Sequence, residues 1–158
     1  MTGAPQPAVR LRAARDDEAG ELTALALRSK GHWGYDQAFL AACADELRME
    51  PGTMASRRVT VAEADGAVLG FSTLEGEAPQ GTLGMLFVEP AAIGRGLGRL
   101  LYRHVLDRAR ELGFERLTID ADPHAEPFYL AMGARRIGEG PSGSIPGRVL
   151  PMLEARTG

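Results

Sequence analysis

Three glycines at alternate positions, Gly94, Gly96 and Gly98, stand between an apolar run and a long amphipathic repeat. Leu83–Val88 reads as a buried strand that closes at Glu89-Pro90. Leu97, Leu101, Val105, Ala109 and Leu112 then recur every three or four residues, one face of a helix that stops at Gly113. Leu117 and Ile119 follow as a short buried strand, so the segment reads as a βαβ unit with parallel strands and a right-handed crossover. A helix N-terminus presents unpaired N–H groups and a partial positive charge. Glycines there remove Cβ atoms and let an anion reach the backbone. One glycine suffices for a turn; three at alternate positions favour a phosphate cradle. Arg95 and Arg99 are placed to add charge-assisted bonds to it.

The loop narrows the phosphate ligand by what it lacks. A dinucleotide fingerprint needs G-x-G-x-x-G directly at the strand end. Here Arg99 stands where that pattern wants its last glycine, and Glu89 to Ile93 separate strand and loop. Asp120 lies near the position of a ribose-binding acid, which keeps a nucleotide-binding oxidoreductase as a weaker alternative. A Walker loop is excluded because no Gly-Lys-Ser/Thr occurs; Lys30 is the only lysine in the 158 residues.

The flanking chain completes an α/β pattern of one domain, residues 1–158, with Met1–Pro7 as a frayed start. Val9, Leu11 and Ala13 alternate with Arg10 and Arg12 as a half-buried strand. Asp16 or Asp17 is expected to cap a first helix carrying Leu22, Leu25, Ala26 and Ser29. Asp36 is placed to cap a second, with Phe39, Leu40, Cys43 and Leu47 inward and Pro51-Gly52 as its stop. Strands from about Arg57 to Glu63 and from Ala67 to Glu75 flank Asp65-Gly66, a strong hairpin signal. A short helix over Ala125–Met132 ends at Gly133, and two strands surround the turn-rich Gly138–Gly147.

Composition excludes several classes. Glycine is in excess, 20 of 158 residues, without the three-residue period of collagen. A formal net charge of −3 argues against a nucleic-acid partner. Cys43 is alone and the three histidines are scattered, so neither a disulfide nor a metal site is expected. No apolar run approaches a membrane span, and Met1–Asp17 carries no hydrophobic leader segment, so the expectation is a cytoplasmic protein with no membrane contact.

Two motifs together resemble a known family. The strand Leu83–Val88, an acidic-Pro step and the x-x-G-x-G spacing of Gly94–Gly98 look like the acyl-CoA signature of the GNAT N-acetyltransferase superfamily. Downstream, Ala125-Glu126-Pro127-Phe128-Tyr129-Leu130-Ala131-Met132-Gly133 is similar to its A-x-x-F-Y-x-x-x-G segment. The resemblance spans about Val9 to Leu153. It implies an α/β (α+β) fold with a mixed, mostly antiparallel sheet, a central parallel pair splayed to admit the cofactor, and flanking helices. It implies acetyl-CoA as cosubstrate, an amine of a small molecule or peptide as acceptor, and direct attack in a ternary complex; it allows a homodimer. Backbone groups of Phe87 and Val88 would hold the pantetheine arm, and the N–H groups of Gly94, Arg95, Gly96, Leu97, Gly98 and Arg99 the pyrophosphate. Tyr129 would protonate the departing thiolate.

Three positions depart from the family pattern. Ile93 replaces an Arg or Gln, and His124 stands where Asn is common, its imidazole still able to hydrogen-bond and so counted with the expected cofactor-binding residues. Gly81-Thr82-Leu83-Gly84-Met85 carries no carboxylate on the signature strand. The base is therefore unassigned among Glu63, Glu75, His32, His124 and a bound water. A non-catalytic acyl-CoA-binding module is the alternative these departures favour. On the acceptor side, His32, Trp33, Tyr35 and Glu75 are the candidate residues. Trp33 and Tyr35 either line a small-molecule site or cover the core between two helices.

Overall fold

The computed structural model describes residues 8–157; the expected frayed start lies outside them. Two sheets diverge from a common seam. The first has four strands in the order β1 (Arg10–Ala13), β2 (Thr60–Ala64), β3 (Ala67–Ser72) and β6 (Leu86–Val88). The second has five, β4 (Glu75–Glu77), β5 (Gln80–Thr82), β7 (Arg116–Asp120), β9 (Val149–Arg156) and β8 (Arg135–Pro141). Four helices complete the chain: α1 (Ala19–Gly31), α2 (Gln37–Leu47), α3 (Leu97–Glu111) and α4 (Glu126–Ala131).

Local signals predict many of these elements. Ala64 pairs with Ala67 across Asp65-Gly66, and both turn residues have positive φ, 53° and 78°. That is the two-residue turn whose twist matches the flanking strands. Asp36 caps α2 by accepting the Phe39 N–H at 2.8 Å. The expected cap of α1 fails: a single 3-10 turn, Asp16–Glu18, precedes the helix. Glu18 there accepts the Arg15 N–H at 2.8 Å and both guanidinium arms of Arg12 at 2.8 Å. Glu18 is 4% exposed, so the partnered carboxylate sits inside the fold while Asp16 and Asp17 stay in solvent. Leu112 also differs from expectation; it lies one residue past α3 and is exposed.

The largest correction concerns the βαβ unit. The strands on either side of α3, β6 and β7, lie in different sheets. The parallel partner of β7 is β5, with Gly81 opposite Leu117. The expected strand Leu83–Val88 is broken. Its upstream end continues β5, where Leu83 donates to the Thr118 carbonyl at 3.0 Å, and its downstream end is β6, antiparallel to β3. The expected strand Ala67–Glu75 is split likewise into β3 and β4. Both breaks fall at one place, where Thr73 takes the Met85 N–H on its hydroxyl and gives its own N–H to the Met85 carbonyl, both at 2.9 Å.

Helix α3 crosses this seam. Leu97 and Leu101 pack with Ala62 of the first sheet, whereas Tyr102, Val105 and Ala109 pack with Leu117, Ile119 and Leu153 of the second. Its one apolar stripe thus joins two cores. Leu22, Leu25 and Ala26 of α1, with Cys43 and Leu47 of α2, cover the other face of the first sheet against Val61 and Phe71. The divergence leaves a cleft between β6 and α4, opened by the N-terminus of α3.

Candidate active site

The cleft has a volume of about 380 Å³. One end is lined by the glycine loop, the other by the aromatic pair of α4 and by the segment after α1. Gly94 and Gly96 have φ of 92° and 77°, the left-handed region that side chains disfavour. Nothing lies within 4 Å of a Cβ placed on either, so these glycines serve the backbone path and an open approach. Gly98 is different. It is inside α3, and a Cβ there would sit 3.3 Å from the Phe128 ring. Leu97 and Arg99 also line the cleft, and Ile93 lines it where the family pattern has a polar side chain. Arg95 does not line it.

The opposite wall is the free edge of β6. Antiparallel pairs alternate between residues that bond each other and residues that face outward. Thr73 bonds Met85 and Glu89 bonds Leu69, so Phe71 and Phe87 form the bonded pair between them. Phe87 therefore turns its N–H and C=O toward β3, and Leu86 and Val88 carry the open edge. Phe87 still lines the cleft, together with Leu86 and Val88, but its backbone hydrogen-bonding groups face β3 rather than the open edge.

Tyr129 lies in the cleft from α4, 6% exposed, its ring 5.2 Å from Phe128 and 5.9 Å from Tyr102. Burial first, and the neighbouring Tyr102 second, raise its pKa, so its phenol holds its proton throughout the neutral range. No residue among those described hydrogen-bonds its hydroxyl.

His32 and Trp33 line the cleft, and Trp33 stacks on His124 with centroids 5.3 Å apart and planes 5° from parallel. Tyr35 does not line the cleft. It lies against Phe39 at 4.0 Å, and its hydroxyl donates to Asp122 and accepts from Arg148 at 2.8 Å. Burial first and the Asp122 carboxylate second push its pKa up to about 12. Glu75 stands apart as well: Arg57 at 3.2 Å and Thr73 at 2.7 Å hold its carboxylate in the space a side chain at Gly84 would fill. Glu63 is farther still, paired with Arg10 and Arg12 in the first sheet.

Sequence reasoning missed Asp122. It lines the cleft two residues beyond β7 and accepts from Lys30 at 2.9 Å, from Tyr35 at 3.0 Å and from the His124 N–H at 2.8 Å. Burial opposes its charge, but these donors, Lys30 foremost, hold its pKa below the usual carboxylate range. The bond to His124 is an Asx turn that Asp-Pro-His suggests locally. The partners 92 and 87 residues away carry no local signal.

A backbone N–H cradle, an open strand edge and a buried phenol in one cleft suit a ligand with a phosphate end and an extended amide arm. Among the described residues no group of three or more His, Cys, Asp or Glu is placed to hold a metal, and no helix is long and apolar enough to cross a membrane.

No protein of curated function matches the chain. Solved structures do. The PaiA N-acetyltransferase of Thermoplasma acidophilum, solved with coenzyme A, superposes with a TM-score of 0.77 at 16% identity, over 94% of this chain and 99% of that one. A GCN5-related N-acetyltransferase from Rhodopseudomonas palustris gives 0.73 at 23% identity, over 99% of each chain. The ribosomal-protein-S18-alanine N-acetyltransferase of Escherichia coli gives 0.69 at 16% identity, over 95% and 94%. These likenesses establish the fold. The model of the acetyltransferase (GNAT) domain matches residues 18–143, which contain the glycine loop, the split strand and the α4 aromatic pair, and the chain therefore belongs to the GNAT acetyltransferase family.

Proposed function

We propose that the protein transfers an acetyl group from acetyl-CoA to an amine of a small molecule or peptide, by direct attack while both substrates are bound. The observation that carries this reading is the placing of the Tyr129 phenol in the same cleft as the Gly94–Gly98 loop and the open edge of β6. Acetyl-CoA supplies the thioester whose acetyl group is passed on. The N–H groups at the start of α3 bind its pyrophosphate, with Arg99 beside them. Leu86 and Val88 hold the pantetheine amides as an added strand, and the Val88 edge offers an N–H to the thioester carbonyl. As the amine nitrogen bonds the acetyl carbon and the C–S bond breaks, Tyr129, protonated at neutral pH, gives its proton to the departing sulfur, and the proton that the nitrogen sheds to bound water restores the phenol. Holding amine and thioester together supplies much of the acceleration. Residues 1–158 act as one acyl-CoA-binding domain, and the setting is the cytoplasm.

A non-catalytic CoA-binding module is the second reading, and one observation favours it. Asp122, the only carboxylate lining the cleft among the described residues, is already held by Lys30 and Tyr35 and is not a free base. One experiment separates the readings. Acetyl-CoA is expected to raise the melting temperature while NAD does not, and thiol release is expected with a subset of a primary-amine panel. Stabilisation by NAD alone would refute acyl-CoA binding. Tight CoA binding without thiol release for any amine would establish the module instead.

A further inference from the structure

A second chamber of about 120 Å³ adjoins the cleft. Lys30, Phe87, Asp122 and Tyr129 line both spaces, so they form the partition between them. The polar part of that partition is gathered on one carboxylate. Asp122 Oδ2 accepts from Lys30 Nζ at 2.9 Å and from the Tyr35 hydroxyl at 3.0 Å, with an Arg148 guanidinium nitrogen 3.6 Å away. Its Oδ1 accepts the His124 N–H at 2.8 Å. The partners come from three separate stretches: the end of α1 with its following loop, the turn after β7, and the segment before β9.

The same loop and turn meet a second time, by different chemistry, where Trp33 stacks on His124. The loop belongs to α1, which packs on the first sheet; the turn belongs to the second. Two contacts therefore cross the divergence at its acceptor end, one ionic and one aromatic. The carboxylate links them, because the N–H that it holds is that of the residue whose ring meets Trp33. Lys30 and Asp122 are each only 12% exposed at the side chain, so the ion pair is poorly screened, and removing one partner leaves the other charge buried.

We propose that Asp122 is a positioning residue for acetyl transfer. It fixes the loop bearing Lys30 and Trp33 against the 122–124 turn, so that the chamber opens beside Tyr129 and an amine entering it meets the acyl end of the bound cosubstrate. The proposal rests on the acetyl-transfer reading above and concerns the acceptor side alone; the glycine loop is left unaltered.

The test uses the only tryptophan of the chain. In Asp122→Asn, Trp33 emission is expected to move to longer wavelength and acrylamide quenching to rise at least twofold. The Kd for CoA stays within threefold of the unsubstituted protein. With the best substrate from a panel of propylamine, ethanolamine, 1,4-diaminobutane and an Ala-terminated tetrapeptide, KM for the amine rises tenfold or more. Asp122→Glu restores part of both the emission and the KM. Lys30→Met, which removes the ionic contact from the other side, gives the same pattern. Unchanged Trp33 emission and amine KM in Asp122→Asn would overturn the proposal. So would a loss of CoA affinity in step with the loss of stability, the mark of a purely structural residue. Failure of the unsubstituted protein to release thiol with any amine refutes acetyl transfer instead, whereas a null result in Asp122→Asn beside an active parent refutes only the role of Asp122.

Discussion

Alanine at Gly96 and alanine at Gly98 test the phosphate cradle, because the two sites demand opposite things of a methyl group. Gly96 is the residue before α3, with φ of 77° and open space on all sides. A Cβ there meets no atom, so its cost is conformational, about 1–2 kcal/mol for a side chain in the left-handed region. At this chain length that lowers Tm by about 2–8 °C. Gly98 lies within α3, where alanine gains about 1 kcal/mol of helix propensity. Its Cβ would press the Phe128 ring at 3.3 Å and 3.4 Å, which gives most of that gain back. Gly98→Ala is therefore expected within about 1 kcal/mol of the parent by urea unfolding, and Gly96→Ala below it. Affinity for CoA, read by titration calorimetry, should separate from stability. Both variants are expected to lose tenfold or more: the Gly96 methyl stands in the open approach to the loop backbone, and the Gly98 methyl displaces the Phe128 ring that lines the same cleft. Parent-like CoA affinity in Gly96→Ala, with its stability lowered as calculated, would refute the cradle.

Tyr129→Phe keeps the ring contacts with Tyr102 and Phe128 and removes only the hydroxyl; kcat should fall by about 10²–10⁴ with CoA affinity within twofold, and a parent-like rate would remove Tyr129 from the chemistry. Arg28 grips Glu89 through two nitrogens at 2.7 Å and 3.0 Å, tying α1 to the approach of the glycine loop. Its guanidinium is half exposed, so Arg28→Ala should cost less than about 1 kcal/mol by urea unfolding yet weaken CoA several-fold; an unaltered Kd would make the pair ornamental. The Arg12 hydrogen bonds lower the Glu18 pKa from 4.5 to about 2. A lowered carboxylate pKa contributes stability that is complete above the unfolded value and lost as pH falls toward the folded one, here from about pH 5 to pH 2, worth about 3 kcal/mol. Denaturation of Glu18→Gln across that window should therefore show a flatter pH dependence than the parent, and equal slopes would contradict the shift. Gly84→Ala should drive the Glu75 carboxylate from its place, since a Cβ there falls 2.8 Å from both the Glu75 carboxyl carbon and the Thr73 hydroxyl; a parent-like Tm would show that the strand break does not depend on that packing.

Features closed within a few residues were legible in the sequence. The Asp65-Gly66 turn, the Asp36 cap and the α3 stripe each depend on neighbours at most four residues away; turn and cap are found as expected, and the stripe is found from Leu97 to Ala109 with only Leu112 outside it. The glycine loop was legible for the same reason, since its spacing and the helix it opens are contiguous. Tyr129 was found through the motif around it; its seclusion beside Tyr102 required the fold. What failed were statements about partners. Nothing in Leu83–Val88 says that Leu83 bonds Thr118 of one sheet while Leu86–Val88 pair with Gly70–Ser72 of the other, because both halves are apolar. The preference for short acidic caps is local and points to Asp16 and Asp17, while the Arg12 guanidinium that holds Glu18 inside lies in a strand and is shared with Glu63 of the next.

The broken strand explains why cleft, loop and chamber occur together. An unbroken strand from Gln80 to Val88 would keep β3 and β7 on its two sides as neighbours in one sheet, with both of its edges bonded. The break at Leu83–Met85 lets its first part bond β7 and its last part bond β3, so the last part has one edge left over. That edge is Leu86 and Val88. An exposed edge of unpaired N–H and C=O groups invites another chain; here it faces the 380 Å³ cleft, with the aromatic pair of α4 on the cleft's wall. Helix α3 must then begin near the same edge, because only Glu89–Ile93, with the single 3-10 turn Pro90–Ala92, separate β6 from the glycine loop, and its apolar stripe must cover both diverging sheets. The glycine loop is thus placed at one end of the edge by connectivity, and the 120 Å³ chamber lies where the break leaves Leu83, Met85 and Ile119 as lining. Thr73 holds the break with one side chain and one backbone N–H on the same residue, Met85. The open edge, the glycine loop beside it and the adjoining chamber are in this sense three consequences of one interrupted strand.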